Sequence, residues 1–466
     1  MAETLLFVTG HLARPRLEKT LQRLGDTPFG WEIFDIGVKV AALMTEAIIL
    51  RRLPRPVRAD RVILPGRARV DLGRLQDAFG VRFERGPDEV ADLPVFLGRA
   101  RTAPDLSRYR VRIFSEIVDA PSCSVDHLLE RALAMREAGA DVIDIGCLPD
   151  TPFPHLEDAV RALKGAGLTV SVDSADPGEL RRGAEAGVDW LLSLSHSTLD
   201  IARDTSAGAV LVPSKHGDLA SLYEAMELAE KAGLTWIADP ILDPIHFGFT
   251  ASIERYAEVR RAYPDAPLLM GTGNLTELTD ADSGGITAML MGICSELTID
   301  NVLVVNVSGH TRRTIQEHDA ARRVMLAAHE DLSLPRDYGR MLLQLHDRTP
   351  FASSPEDIAQ LAAQVRDANF RIEVADDGIH VYNAKGHHVA GDAMSLFPLL
   401  GVEADGPHAF YLGTELMKAE IAYRLGKRFA QDEPLDWGAA VDRASEDLTR
   451  LARAGHTLRA KGQGGE

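Results

Sequence analysis

Cysteine is scarce: Cys123, Cys147 and Cys294 are the three in 466 residues. They lie far apart, are odd in number and form no CxxC, which argues against a disulfide framework and against a thiolate zinc site. Basic residues are also in deficit. Lys and Arg total 51 against 69 Asp and Glu, for a net charge of −18. Such a chain lacks the positive footprint that phosphate backbones require, so no nucleic-acid partner is expected. A local pocket can still oppose the global sign and take a small anion. No apolar run approaches the length of a membrane helix, so no membrane partner is expected. The opening MAETLLFVTGHLARPRLEK lacks a basic n-region, a long apolar core and a small-residue cleavage site. It reads as a first strand, not a signal peptide, and the expected compartment is the cytoplasm. What is present is ordinary for a globular protein: 45% hydrophobic and 26% charged residues. That excludes whole-chain disorder, and the length implies about three domains.

The first hundred residues alternate short apolar runs with helical patterns. LLFVTG, EIFDIG, RVILPG and VRFERGP read as strands, with helical stretches from Arg14 to Leu24, over VKVAALMTEAIILRRL and over VDLGRLQDAFG. Strand, glycine, helix, repeated, implies a small parallel sheet with helices on its faces. A linker is expected around Gly98 to Arg108. Eight near-continuous apolar runs follow, at 112–118, 142–146, 169–173, 190–195, 209–214, 236–241, 268–273 and 302–308. Runs of this kind suit strands buried on both faces. Helical patterns separate them, and only the fourth connection, TLDIARDTSAG, is short. Eight β/α units make a (β/α)8 TIM barrel, with a doubly wound open sheet as the alternative. After Leu334-Pro335 a helix from Ser354 leads into FRIEVADDGIHVYNAKGHHVAGD, a hairpin turning at Asp376-Asp377-Gly378, and then a long helix from Thr414. The fold class is therefore α/β. Residues 1–105 form an N-terminal α/β three-layer domain, 106–335 the barrel, and 336–460 a small C-terminal α+β domain. The tail AKGQGGE is expected to be disordered.

A barrel carries its site at the C-terminal ends of its strands. That rule selects Glu116 and Asp119 at the end of the first run, Asp144 in the second and Asp173 in the third. It adds Ser193, Ser195 and His196 in the fourth, and Lys215 and His216 after the fifth. The sixth supplies Asp239 and Asp243, the seventh Asn274, and the eighth Ser308, His310, Arg312 and Arg313. A carboxylate inside an apolar run is costly to bury unless it is paired, solvated or bonded to a ligand. Each residue also has a plainer reading. Asp173 and Asp239 could cap the following helices, Asp144 could sit in a buried ion pair, and His196 could be a rim residue. Lys215 and Arg312 could be solvated surface charges. The oxygen-only donors suit a loosely held Mg²⁺ better than a tightly bound transition metal, and no HxH marks the first strand.

VIDIG, TVSVDS, ADPI followed by FGF, and LLMGTGN together resemble the pterin-binding family, which comprises dihydropteroate synthase and the pterin-dependent methyltransferases. The resemblance implies that Asp144, Asp173 and Asp239 hold the pterin ring, whose 2-amino and ring N–H edge matches a carboxylate. Several motifs depart from that family. Ser193 stands for its strand-4 Asn, Gly273-Asn274-Leu275 for its Ser-Arg-Lys clamp, and Asn306-Val307-Ser308 for its Arg-x-His. EIVDAP, GTGNLTELTDADSGGI and YLGTELMKAEIAYRLGK are similar to a divergent group, the dihydropteroate synthase-related proteins of methanogens and methylotrophic bacteria, and that likeness spans nearly the whole chain. It implies a transferase in tetrahydromethanopterin biosynthesis. Its substrates would be 6-hydroxymethyl-7,8-dihydropterin diphosphate and a phosphorylated arylamine, 4-(β-D-ribofuranosyl)aminobenzene 5′-phosphate, with release of pyrophosphate. Under this reading Asp144, Asp173, Ser193, Asp239 and Asn274 bind pterin. Lys215, Ser308, His310 and Arg312 are the phosphate candidates. Glu116 and Asp119 hold Mg²⁺ accompanying pyrophosphate, no catalytic residue is assigned, and a homodimer is expected. The alternatives are a pterin-dependent methyltransferase and a non-catalytic pterin-binding protein of one-carbon metabolism.

Overall fold

The computed structural model describes residues 3–99, 104–347 and 349–442. The expected disordered tail from Ala460 lies outside them, as do four residues of the expected linker. The chain divides into two compact units, Met1–Arg110 with Arg322–Gly339, and Val111–Ala321 with Arg340–Glu466. Among the described residues no helix is long and apolar enough to cross a membrane.

The first unit carries a four-stranded parallel sheet of β1 (Glu3–Thr9), β2 (Phe29–Asp35), β3 (Arg61–Leu64) and β4 (Arg82–Arg85), in the order β2-β1-β3-β4. The period of two in β1 explains its two cores. Leu5 and Phe7 pack with Leu17, Leu21, Ile63 and Leu93, while Val8 packs on the other side with Ile36, Ile49, Val62 and Leu75. Both faces are therefore covered, as the apolar runs imply. The second helical pattern is shorter than expected and spans Glu46–Arg52. Thr45 takes the N-cap position and accepts from the Ile48 N–H, so the chain before it does not continue the helix.

The second unit contains the barrel. Its strands are β5 (Arg112–Ile117), β6 (Val142–Gly146), β7 (Val170–Asp173), β8 (Trp190–Leu194), β9 (Gly208–Leu211), β10 (Trp236–Ala238), β11 (Leu269–Gly271) and β12 (Asn301–Val305). All pairings are parallel, in the order β10-β9-β8-β7-β6-β5-β12-β11. A bridge between Ala238 and Leu268, with the Ala238 N–H on the Pro267 carbonyl at 2.9 Å, joins the first and last strands and closes the barrel. Its lower interior is one apolar layer of Phe114, Val142, Trp190, Leu192, Val210, Ile237 and Leu269, with Leu303 against it. Burying a side chain of this size stabilises the fold by roughly 1.5–3 kcal/mol. The short fourth connection holds a four-residue helix, Asp200–Arg203. Cys123, Cys147 and Cys294 are free thiols.

The C-terminal part of this unit differs from the expected hairpin. Three antiparallel strands are present: β13 (Arg371–Ala375), β14 (Gly378–Asn383) and β15 (Gly386–Ala390). The turn falls at Asp376-Asp377 as the sequence implies. The long helix runs Gly406–Leu425 and so begins eight residues before Thr414. Asp405 caps it by accepting from the His408 N–H, and Pro407 occupies a first-turn position where its missing N–H costs nothing. Leu412 and Leu416 of this helix pack on Ile372, Val374, Ile379 and Val381 of the sheet.

Candidate functional site

The site follows from the apolar layer by a single step of two residues along each strand. Phe114, Val142 and Ile237 point into the barrel, so Glu116, Asp144 and Asp239 point the same way one layer higher. In β7 the same step leads from Ser171 to Asp173. Register sets Glu116 beside Asp144 and Asp144 beside Ser171, while Asp173 pairs with Gly146, two residues further along β6. The strands thus switch from hydrocarbon to carboxylic acid toward their C-terminal ends, with Asp173 one step beyond Glu116 and Asp144.

Glu116, Asp144 and Asp173 place one carboxylate oxygen each within 4.8 Å of one another. Asp144 is fully buried, accepts from the Ser171 hydroxyl through Oδ1 at 2.5 Å, and has no partner at Oδ2. Among the described residues no Lys, Arg or His pairs with these three acids. Their proton affinities rise accordingly. Burial, then the charge of Asp173, pushes Glu116 up to about 7. Burial alone pushes Asp173 up to about 6. Burial and the two neighbouring acids push Asp144 well above the usual range. Gly146 leaves the space that Glu116 needs, because a Cβ there would lie 2.5 Å from Glu116 Oε1 and 3.1 Å from the Ile117 carbonyl.

Asp239 completes the acidic layer from the other side. Burial pushes it up to about 6 although two donors oppose that shift. The Tyr256 hydroxyl reaches Oδ1 at 2.7 Å and the Ile241 N–H reaches it at 2.8 Å, which leaves Oδ2 for a ligand. The loop beyond is held by Arg255, which donates to the Pro240 and Ile241 carbonyls and to Asp243 Oδ2 at 2.7 Å. Ile241 has φ of 69°, a region that β-branched residues avoid, so these bonds hold a strained backbone in place.

The remaining candidates are placed as follows. Ser193 lies half-buried at the end of β8. Asn274 is exposed, and its amide donates to the Leu242 carbonyl at 2.7 Å, so in this structure it ties down the loop after β10. Asp119 is set against Arg131 at 2.7 Å, whose hydrogen bond and charge hold its carboxyl below the usual range. Glu116 is therefore grouped with Asp144 and Asp173, not with Asp119. His196 meets the Ser214 hydroxyl at 2.6 Å, and His216 lies 3.4 Å from Asp243.

The phosphate candidates are not brought together. Lys215 is exposed after β9, whereas Ser308, His310 and Arg312 follow β12. The backbone N–H groups of Val307 and Ser308 donate to the Glu277 carboxylate at 2.7 and 3.0 Å, and the Thr311 hydroxyl joins them at 2.5 Å. His310 Nε2 meets the Thr276 carbonyl at 3.0 Å, and Arg312 reaches the Gly309 carbonyl at 3.1 Å. An anion cradle exists after β12, and the chain's own carboxylate fills it. Glu277, Tyr256, Arg255 and Ser171 are functional-site residues that the strand-end rule does not find. Ser171 had a signal, being the polar residue two before Asp173 in TVSVDS.

Oxygen-only donors, three acids and one orphaned buried oxygen fit a hard divalent cation such as Mg²⁺. The same acids equally suit a neutral heterocycle that presents several N–H donors.

Comparison with known proteins gives three kinds of likeness. Residues 3–88 match a family of unknown function, DUF6513. An uncharacterized protein of Methanocaldococcus jannaschii is 24% identical, over 92% of this chain and 98% of its own length. Among solved structures, Yersinia pestis dihydropteroate synthase with a pterine–sulfa conjugate is 19% identical, covering 48% of this chain and 96% of its own, with a TM-score of 0.38. The Xanthomonas albilineans dihydropteroate synthase, in complex with indole-2-carboxylic acid and 6-chloroguanine, is 22% identical over 48% of this chain and 92% of its own, with a TM-score of 0.36.

Proposed function

We propose that this chain is a pterin-binding transferase of the dihydropteroate synthase type. The observation that carries the reading is the set of acids Asp144, Asp173 and Asp239 that face one barrel interior, with Asp144 Oδ2 buried and engaged by no protein group. A pterin ring presents its 2-amino group and ring N–H as adjacent donors, and ionised Asp173 and Asp239 accept both. The resemblance in VIDIG, TVSVDS and ADPI supports the same assignment.

The finer reading is the tetrahydromethanopterin step. The arylamine nitrogen of 4-(β-D-ribofuranosyl)aminobenzene 5′-phosphate attacks the methylene carbon of 6-hydroxymethyl-7,8-dihydropterin diphosphate. The C–N bond forms, the C–O bond breaks, pyrophosphate leaves, and the nitrogen loses a proton. Positioning supplies most of the acceleration in such a displacement. The departing pyrophosphate is itself basic enough to take that proton. Mg²⁺ would be held by Glu116, Asp144 and Asp173, and it supplies charge neutralisation for a leaving anion. Two copies of the chain are proposed to form a homodimer.

One observation favours a second reading. The N–H cradle after β12 holds Glu277, so a diphosphate would have to displace a carboxylate there. A pterin-dependent methyl transfer needs no diphosphate and would use the same acids. The deciding experiment mixes purified protein, Mg²⁺ and the dihydropterin diphosphate with either p-aminobenzoate or the ribosylated amine phosphate, and measures pyrophosphate. Release only with the ribosylated amine supports the methanopterin step. Release with p-aminobenzoate assigns a folate role. No release, with tight binding of a reduced methyl-pterin, moves the assignment to methyl transfer, and pterin binding without either reaction makes the chain a binding protein.

A further inference from the structure

The first unit has a cleft of its own, with a volume of about 560 Å³. Its position follows from the topology of the small sheet. With the order β2-β1-β3-β4, the chain passes from β1 to β2 on one side and then crosses back to β3 on the other. The crevice at the C-terminal ends of β1 and β3 is thus a topological switch point, where open parallel sheets hold ligands. The cleft lies there, between Phe7–Thr9 at the end of β1 and Ile63–Pro65 at the end of β3. Two glycines set the backbone around it. A Cβ on Gly10 would lie 2.8 Å from the Ala41 nitrogen, and one on Gly66 would lie 2.5 Å from Asp88 Oδ1.

Its walls are mostly apolar, Phe7 among them, with Asp88 and Glu89 also in the lining, and its rim is exposed. Leu12 and Leu334 line it while 58% and 73% exposed. Leu332, also on the rim, has φ of 51°, a left-handed conformation that non-glycine residues adopt at a cost. Apolar surface exposed around a cleft stabilises nothing in the unliganded chain, so a ligand is the simplest reason for it. Arg16 supplies the polar anchor. It lines the cleft, and among the described residues its guanidinium has no ion-pair partner. The backbone of the turn is not available to an anion, because the His11 and Leu12 N–H groups donate to the Val38 and Lys39 carbonyls. Arg67, on the opposite rim, is committed to Glu89 at 2.6 Å.

We infer that this cleft is a second ligand site, for a mononucleotide-sized molecule with a flat apolar ring and one anionic group. The ring lies against the apolar walls and the anion meets Arg16. The volume falls within the range of small-molecule pockets, roughly 300–1,000 Å³. The inference is independent of the barrel chemistry.

The test is calorimetric titration of the full-length protein with AMP, adenosine, 4-aminobenzoate and decanoate. AMP is expected to bind saturably and adenosine more weakly. Arg16→Ser should weaken AMP at least tenfold and leave adenosine unchanged, while Ala42→Trp, at an exposed position on the cleft wall, should abolish both. Asp239→Asn in the barrel should alter neither. Retained circular dichroism of each variant shows that it folds. Binding of 4-aminobenzoate with the same dependence on Arg16 also supports a ring with one anion. Binding of decanoate alone overturns the ring assignment. Failure of all four probes, or binding indifferent to Arg16→Ser and Ala42→Trp, overturns the site.

Discussion

Tyr256 is fully buried, and its hydroxyl meets Asp239 Oδ1 at 2.7 Å. The bond favours the ionised acid and so opposes the burial that raises its proton affinity to about 6. Tyr256→Phe removes it without emptying the space. The titration of Asp239 is expected to move further up, and pterin affinity at pH 6.5 to fall about tenfold, the order of one lost charge-assisted hydrogen bond. At pH 8.5 the loss should shrink, because the acid is then ionised in both proteins. Ligand titration by fluorescence at the two pH values measures this. A loss equal at both would mean that Tyr256 acts through packing alone.

The acid cluster makes stability depend on pH with a definite sign. Glu116 rises to about 7 from 4.5, and Asp173 to about 6 from 3.8. The folded state therefore binds more protons than the unfolded chain between about pH 4 and 7, and stability falls as pH rises through that window. Thermal unfolding of the ligand-free protein should give a higher Tm at pH 5.5 than at pH 7.5. Glu116→Gln should flatten the difference and raise Tm at pH 7.5. A Tm that climbs from pH 5.5 to 7.5 in the wild type would mean that these acids are not buried together.

A divalent cation should relieve the same repulsion. Mg²⁺ at 10 mM is expected to raise Tm at pH 7.5, by about 2 °C or more if its Kd is millimolar or tighter. At pH 5.5 protons compete for the oxygens and the shift should vanish. Asp144→Asn, which alters the orphaned oxygen, should abolish the shift at pH 7.5. An undiminished shift in that variant would place the cation elsewhere.

The barrel was legible because strands buried on both faces are near-continuous apolar runs, and all eight appear where VIDIG, AVLVPS and the others predict them. The acidic layer was legible for the same reason, since an acid two residues past a core position must share its face. That parity also explains the regrouping around Glu116. Asp119 is three residues on, which is the wrong parity for the interior and beyond the end of β5 at Ile117. β15 was hidden because GHHVA alternates poorly and is only partly buried. The engagement of Ser308 and His310 was hidden because it depends on the turn Gly273–Thr276, which brings Glu277 to the end of β12.

Gly146 tests whether the layer depends on space as well as charge. The neighbours of a Cβ there include backbone, at 3.1 Å from the Ile117 carbonyl and the Val118 Cα, so it cannot be absorbed by side-chain motion alone. Gly146→Ala is expected to displace the Glu116 carboxylate, cost about 1–3 kcal/mol of stability, and lower turnover or pterin affinity by more than Glu116→Gln does. Urea unfolding and ligand titration measure the two effects separately. Wild-type values in both would mean that Glu116 does not fill that space.

Glu277 decides between the two pterin chemistries. Burial pushes its carboxyl up, but donors from Ser308, Thr311 and Val307 outweigh that and hold it below the usual range. It is therefore an anion at neutral pH, held by two backbone N–H groups and the Thr311 hydroxyl. Glu277→Gln keeps the size, removes the charge, and leaves the Val307 and Ser308 N–H groups facing a neutral amide. If the cradle receives a diphosphate during turnover, pyrophosphate affinity should rise severalfold in the variant and its release should slow. If Glu277 holds the loop for a diphosphate-free reaction, pyrophosphate affinity should stay unchanged and the variant should lose about 1–3 kcal/mol of stability. Isothermal titration with pyrophosphate, beside urea unfolding of the same variant, separates these outcomes.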